Sequence, residues 1–390
     1  MDASLFIASR IRFKGKIAMV CIAISFLVTI IAVSVSAGYR YEIREELSMI
    51  SGDVMISAPD RNILNEGRPI ESDPAYLPYL KNLSCVDEVI PVVYRAGIVR
   101  HQENMYGVMI KGTPDGVPSD SLSLAVSIPA GLASKTGLRP GDRMLTYFVG
   151  ENIRLRQFNV AAIHEDLMEA GDRHVVYASN ADLQRLNGWG ESQVSAVEIL
   201  LDDRYRTEEE IRNASEEIGS VIYAYADADE EEVVAVSSVS RFPNLFGWLD
   251  LIEFNVFFII GLMIVVAGFN MISGLLIMLF ENISTIGLLK SLGMTDRSIS
   301  KVFLASSAVI TLKGMLAGNA LAAVFCIVQS ATHFLRLNPQ NYYLSYVPVR
   351  LDFPLILAAD MISFAAIMLM LLIPCLFISK VDPADTVRVR

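Results

Sequence analysis

The 390-residue sequence holds four cysteines and four histidines, and neither set is arranged for chemistry. Cys21, Cys326 and Cys375 fall inside long apolar runs and Cys85 stands alone outside them, so no intrachain disulfide is available there and no zinc spacing exists. His101, His164, His174 and His333 are scattered. No GxxxxGK[ST] phosphate loop, HExxH helix or GxSxG elbow occurs, which leaves no sequence support for a fused ATPase, a zinc protease or a serine hydrolase. Charged residues make up 19% of the chain and apolar residues 53%, the balance of a membrane protein with a sizeable water-soluble part.

What is present is long uncharged sequence. Ile17 to Ala37 and Phe254 to Phe280 contain no charge, and each is long enough to cross a hydrocarbon core of roughly 30 Å at about 1.5 Å per residue. Val302 to Ser330 is interrupted by Lys313, and Phe353 to Ser379 by Asp360, so both read as spans with one ionisable exception.

Charge sets the topology. Residues 40–250 carry 19 Lys and Arg against 35 Asp and Glu, while the whole chain is at −11, so the remainder is basic. Arg10, Arg12, Lys14 and Lys16 precede the first span; Lys290, Arg297 and Lys301 lie between spans two and three; Lys380, Arg388 and Arg390 follow the last. The positive-inside rule places these three groups in the cytoplasm and the acidic insert outside. The competing reading, a cleaved signal peptide ending at Val35-Ser36-Ala37, would leave an odd number of spans and strand a basic end outside.

The expected layout is therefore 1–16 cytoplasmic, 17–37 transmembrane, 38–250 extracytoplasmic with stalk helices, 251–280 transmembrane, 281–301 cytoplasmic, 302–330 transmembrane, 331–352 extracytoplasmic, 353–379 transmembrane and 380–390 cytoplasmic. The fold class is an α-helical membrane protein with four transmembrane helices plus a large α+β extracytoplasmic domain between helices 1 and 2.

Within the insert, Tyr39 to Ile50 keeps helical spacing and extends the first span as a stalk. Strands are expected at Gly52 to Ser57, within Val86 to Lys111 as the separate runs VDEVIPVV, RAGIVR and NMYGVMI, at MLTYFV after the turn Leu138 to Asp142, and at Ile153 to Ile163, forming a β-rich module. Asp60 to Pro78 reads as a loop, and Ile128 to Ala133 leads into a short helix. Asp172 to Ala178, Ser195 to Leu201 and Val221 to Ala226 read as strands, alternating with helices at Asn180 to Leu186 and Thr207 to Gly219, the latter opened by a Thr207/Glu210 capping box; this makes an α+β unit beside the β module. Asp227 to Glu232 is an acidic turn, and Arg241 to Asp250 suits an interfacial helix with Trp248 at headgroup level.

The chain is organised around the polar island Glu281 to Lys301. Ile283, Ile286, Leu289 and Leu292 recur at helical spacing with Leu288 beside them, and Gly293 follows as a left-handed stop. Such an apolar ridge can enter a partner's groove, with Glu281, Ser284, Lys290 and Asp296 around it, or lie on the bilayer surface. Lys313 and Asp360 fall at depths that differ by only a few ångströms, counted at about 1.5 Å per residue, and either pair, within a protomer or across a dimer, or snorkel and meet water separately. Gly314 and Gly318 form a GxxxG extended by Ala322, serving helix packing within the protomer or between protomers, and Asn270 is expected to make an interhelical hydrogen bond.

Phe269 to Gly274, Asn282 to Gly293, the following SISKVFLASSAVI, Leu138 to Asp142, Val175 to Ser179, Tyr342 to Pro348 and the tail Asp382 to Arg388 together resemble the FtsX-like permeases of ABC transporters. Residues 254–390 would be the FtsX-like domain. Within that group the likeness is nearest to the lipoprotein-releasing permeases of the LolC/LolE type, with a MacB-like exterior domain. The resemblance implies a non-catalytic transmembrane subunit in the inner membrane, working with ABC ATPase subunits and a second permease subunit, identical or sister. Glu281, Ser284, Ile286, Leu288, Leu289, Lys290 and Gly293 would meet the ATPase. No cofactor or metal is expected in this chain; ATP and Mg would be bound by the partner ATPase. Lipoprotein extraction to a periplasmic carrier is the implied activity, with contact to membrane lipids and none to nucleic acid. Macrolide-exporter-like efflux of amphiphiles or peptides, and FtsX-like regulation of cell-wall hydrolases, are the alternatives; an exterior enzyme on a membrane tether is a third and lacks any catalytic constellation.

Overall fold

The computed structural model describes residues 16–59, 68–117, 124–148, 154–166, 174–205, 207–227 and 230–375. Arg10, Arg12, Lys14, part of the 60–78 loop, residues 376–379 of the fourth span and the tail with Lys380, Arg388 and Arg390 lie outside the described residues.

The first described element is α1 (Lys16–Ser51), followed by β1 (Val54–Ser57), β2 (Ile70–Glu71), α2 (Leu77–Leu80), β3 (Val86–His101), β4 (Asn104–Thr113), β5 (Ala125–Pro129) and α3 (Ala130–Thr136). Then come β6 (Arg143–Phe148), β7 (Arg154–His164), β8 (His174–Ser179), α4 (Asn180–Asn187), β9 (Gln193–Val194), β10 (Ala196–Leu201), α5 (Glu208–Tyr225), β11 (Val234–Ser237) and α6 (Ser238–Arg241). Six helical pieces, long and short, follow among the described residues: α7 (Pro243–Glu281), α8 (Ile283–Ser291), α9 (Asp296–Thr332), α10 (Pro339–Tyr342), α11 (Phe353–Met370) and α12 (Leu372–Cys375). These elements form two compact units, one of Met1–Tyr41, Trp248–Arg336 and Tyr346–Arg390, the other of Glu42–Gly247 with Leu337–Ser345.

The second unit is built on one long strand. Runs expected as two strands, VDEVIPVV and RAGIVR, form the single 16-residue β3. Its first half pairs with β10, from Leu201↔Val86 to Ala196↔Val92, and its second half pairs with β4 from Val93↔Gly112 onward. The change of partner falls next to Pro91, which has no N–H to give a ladder. Asn180 repairs the break by donating to the Pro91 carbonyl at 2.8 Å and accepting from the Val93 amide at 3.2 Å, while Ser195 Oγ accepts from Tyr94 N at 2.9 Å.

Beyond that switch, β3, β4, β8, β5, β7 and β6 follow in order, and β6 pairs back onto β3 at Ile98↔Tyr147 and Val99↔Thr146. Six strands therefore close into a barrel, which removes free edges from the module. Phe148 and Phe158 meet edge to face inside it at 6.1 Å, among Val99, Ile110, Val126, Met144, Val160 and Val176. On the other side of the switch, β10, β1 and β11 extend β3 as an antiparallel sheet. The β module and the α+β unit thus share β3.

Helix α5 covers that sheet, burying Ile211, Ala214, Ile218 and Ile222 at helical spacing. Its Thr207/Glu210 capping box is present in both directions. The strand expected at Val221 to Ala226 does not form; the helix runs on to Tyr225 because Ile222 continues its buried stripe. Conversely β11 gave no clear signal in the sequence. The acidic turn is tied down at Glu230, which accepts from Ala75 N and Asp227 N.

Among the described residues, four helices of the first unit are long and apolar enough to cross a membrane. α1 is continuous for 36 residues, about 54 Å at 1.5 Å per residue, so it outruns a bilayer core of roughly 30 Å. Ile22 and Phe26 of α1, Ala267, Met271, Leu275 and Met278 of α7, Ile299 and Phe303 of α9, and Ile367 of α11 form one core. No separate interfacial helix forms at Arg241 to Asp250: α6 stops at Arg241 and α7 runs unbroken from Pro243. Trp248 meets the Tyr39 ring edge to face at 5.7 Å, and Arg40 pairs with Asp250 and Glu253, which joins α1 to α7.

Candidate coupling site

The polar island folds as the short helix α8 between α7 and α9. Its stop is a Schellman arrangement: Met294 N donates to Leu289 O at 3.0 Å, Gly293 N to Lys290 O at 2.9 Å, and Gly293 takes φ +87°. The next helix begins at once, with Thr295 Oγ1 accepting from Ser298 N. Lys290 Nζ lies 2.9 Å from Asp296 Oδ1 and ties the end of α8 to the start of α9.

The exposed ridge differs from the one expected from spacing. Ile286 turns inward and is 1% exposed, within the core that includes Met278, Ile299 and Phe303; Leu289 packs against the same core. Lys290 is spent largely on Asp296. The free apolar side chains are Ile283, Leu288 and Leu292, continued by Phe280, with Glu281 and Ser284 exposed beside them. The physical reason is that a helix pinned between two core helices must give its inner face to its own protein. The surface left for a partner is then the 281, 284, 288 and 292 side.

Residues 257–383 match the family model described as FtsX-like permease C-terminal. The chain carries an FtsX-like permease domain. It is a permease of the ABC-transporter type, and α8 lies inside that match. The lipoprotein-releasing system transmembrane protein LolC of Xylella fastidiosa (strain Temecula1 / ATCC 700964) is 21% identical over 408 residues, spanning 97% of this chain and 94% of that protein. LolC of Neisseria meningitidis serogroup B is 23% identical over 405 residues, spanning 96% and 94%. Among solved structures, the periplasmic region of MacB from Actinobacillus actinomycetemcomitans is 12% identical, with a TM-score of 0.31 over 51% of this chain and 95% of that one.

Within the permease domain, the GxxxG serves packing inside the protomer. A Cβ at Gly318 would lie 2.5 Å from Ala23 O and 2.9 Å from Phe26 Cβ, and one at Gly314 would lie 2.7 Å from Ile22 Cγ2. α9 therefore rests directly on α1 through its small residues, with Ala322 buried on the same face. Lys313 and Asp360 do not pair within the protomer: Lys313 is exposed, whereas Asp360 is buried and takes the side-chain amide of Asn319 on α9. Six residues separate Lys313 from Asn319, which turns the lysine to another side of the helix. Asn270 is half-buried and makes no side-chain hydrogen bond to another described residue.

Sequence reasoning passed over a buried polar network in the second unit. Lys111 of β4 and Glu198 of β10 are both buried and form an ion pair of 2.8 Å. Tyr94 of β3 also donates to Glu198. Burial pushes the Lys111 ammonium pKa down and the Glu198 carboxyl pKa up, and each partner pulls the other back. Lys111 Nζ donates further to the carbonyls of Met49 at 2.9 Å and Ile50 at 3.0 Å, Tyr94 to Ile50 O at 3.2 Å, and Arg241 to Ser51 O at 2.9 Å and Gly52 O at 2.7 Å. The available signal was a single charge in each of two apolar strands, NMYGVMIKGT and AVEILL.

Among the described residues no group of three or more His, Cys, Asp or Glu is placed to hold a metal.

Proposed function

We propose that the chain is the permease subunit of a lipoprotein-releasing ABC transporter. The observation that carries this is the end-to-end similarity to LolC, which spans the exterior domain as well as the permease domain. Separate ATPase subunits, holding ATP and Mg, dock on the exposed side of α8 at Glu281, Ser284, Leu288 and Leu292. A second permease subunit, identical or sister, completes the assembly. The protein sits in the inner membrane with both ends in the cytoplasm and the domain between α1 and α7 in the periplasm, as the positive-inside rule requires.

In this reading ATP-driven closure of the ATPases moves α8, and α1 and α7 carry that motion outward. Phe254, Phe257 and Phe258 form an exposed aromatic stripe on α7. Acyl chains of a lipoprotein rest against such a surface, and the cargo is lifted from the outer leaflet to a periplasmic carrier.

The test is purification of the intact complex in mild detergent, with a Leu288→Asp variant alongside and mass spectrometry of bound proteins and lipidated polypeptides. Expected are an ATPase that is lost in the variant and bound lipoproteins in the wild type. Cell-wall hydrolases in place of lipoproteins would move the assignment to a regulatory permease. Absence of any ATPase would overturn the transporter reading.

A further inference from the structure

The geometry points to a force-transmitting joint where the first spanning helix ends and the second begins, made by Lys111, Glu198, Tyr94 and Arg241. The last turn of any α-helix leaves its final carbonyls without helical partners. In α1, Ser48 O is taken by Gly52 N at 2.8 Å, in the ordinary way. Met49, Ile50, Ser51 and Gly52 carbonyls are taken instead by side chains from three other elements: Lys111 on β4, Tyr94 on β3 and Arg241 at the end of α6. Water or one glycine turn would satisfy such carbonyls where the end is exposed. Here two cations are brought to the negative end of the helix, and one of them is buried with its counter-ion.

A buried ion pair is a poor device for stability, because desolvation offsets much of the attraction. Its value lies in direction. Apolar contact is non-directional and lets a helix slide or turn, whereas charged donors set on specific carbonyls resist displacement along the axis and rotation about it. Gly52 makes the seat tight: it takes φ +65°, and a Cβ there would lie 2.9 Å from Glu198 Cβ. A second tie holds the preceding turn, where Arg44 reaches Asp53, whose other oxygen accepts from Leu201 N at 3.0 Å.

Arg241 adds the second helix. It stands two residues before Pro243, where α7 starts, so one guanidinium that grips Ser51 O and Gly52 O links the exit of α1 to the entry of α7. The last turns of α1 and the first residues of α7 are therefore fastened at the same place in the second unit. The joint rests on the permease reading above and names the residues that pass motion from the spanning helices to the exterior domain.

The test uses the full complex in nanodiscs with a fluorescent lipoprotein. The double variant Lys111→Met/Glu198→Leu removes both charges together, leaving no lone buried ion; Arg241→Lys keeps the charge but gives up the fork that holds two successive carbonyls. For a double variant of wild-type thermal stability, ATP hydrolysis is expected within about twofold of wild type while lipoprotein released per ATP falls at least tenfold. Arg241→Lys is expected to fall about threefold. Wild-type release per ATP in a folded double variant would overturn the joint, as would an unchanged Arg241→Lys should the double variant fail to fold.

A second readout separates this from the cargo assignment. Spin labels at Met49→Cys and Met105→Cys, in a chain freed of its native cysteines, should give one narrow distance with and without ATP when the joint is intact, and a broadened one with ATP in either joint variant. A narrow distance in both variants overturns the joint. Absence of lipoprotein release by the wild type overturns the cargo reading while leaving this distance test in force.

Discussion

The exterior domain and the membrane unit solve the same problem, a buried carboxylate, in opposite ways. Glu198 is buried and paired with Lys111 and Tyr94, which in turn reach backbone carbonyls. Asp360 meets a single neutral amide from Asn319, and its second oxygen has no partner among the described residues. In the domain, apolar packing supplies cohesion and the polar network adds direction. In a bilayer, lipid is as apolar as the helices, so cohesion depends on close approach, which Gly314 and Gly318 provide.

That contrast can be broken most forcefully at the carboxylates. Glu198→Leu strands Lys111 without its counter-charge and should cost about 3–5 kcal/mol of stability, read as a fall in the thermal midpoint of the detergent-solubilised chain. Asp360→Asn should change stability by less than about 1 kcal/mol, since it removes a charge that the bilayer disfavours and leaves Asn319 an amide partner. Equal losses at the two sites would mean that the membrane unit also depends on a buried charge.

Next in size is the glycine seam. Gly318→Leu should cost up to about 3 kcal/mol, the upper range for overpacking, and should reduce the folded protein recovered from membranes. Gly261→Leu should be neutral, because nothing lies within 4 Å of a Cβ there. A tolerated Gly318→Leu would show that α1 and α9 can separate without loss.

At α8 the two faces should behave differently. Leu288→Asp is expected to leave the thermal midpoint unchanged and weaken ATPase co-purification at least tenfold, about 1.4 kcal/mol, whereas Ile286→Asp should destabilise the membrane unit itself. If Leu288→Asp proved the more destabilising, the assignment of inner and outer faces would be reversed.

The smallest effect is a pH dependence confined to the exterior domain. Burial lowers the His164 pKa, opposed by a backbone contact at Val175 and the charge of Asp166. A folded value below the unfolded one, about 6.5, means that this contribution is fully present above that pH and is lost as pH falls through it toward the folded value. Thermal midpoints followed from pH 7.5 to 5 should drop less for His164→Gln than for wild type; parallel curves would exclude His164 as the source.

Much of this architecture was legible because it rests on local rules. Uncharged runs gave the four long helices, Thr207 with Glu210 gave the start of α5, and Gly293 gave the end of α8. What escaped depends on contacts distant in sequence. The single strand β3 required Asn180 and Ser195 to bridge a proline, and the helix at Val221 required a sheet to receive Ile222. The direction of Ile286 likewise followed from α9, not from its own spacing.

The pairing at Val92 has a further meaning for how such a protein can change over time. The chain leaves the antiparallel sheet there and returns at Ser195, whose amide donates to the Val92 carbonyl at 3.0 Å, with Ala196 already back in register. Everything between, the closed six-stranded barrel included, branches from the sheet at one residue pair, while β9, Tyr94 and Lys111 reach back to β2, Glu198 and the end of α1. Lengthening or trimming its loops requires no re-threading of β1, β10 and β11, so the barrel surface away from Tyr94 and Lys111 is free to diverge while those two side chains are held in place.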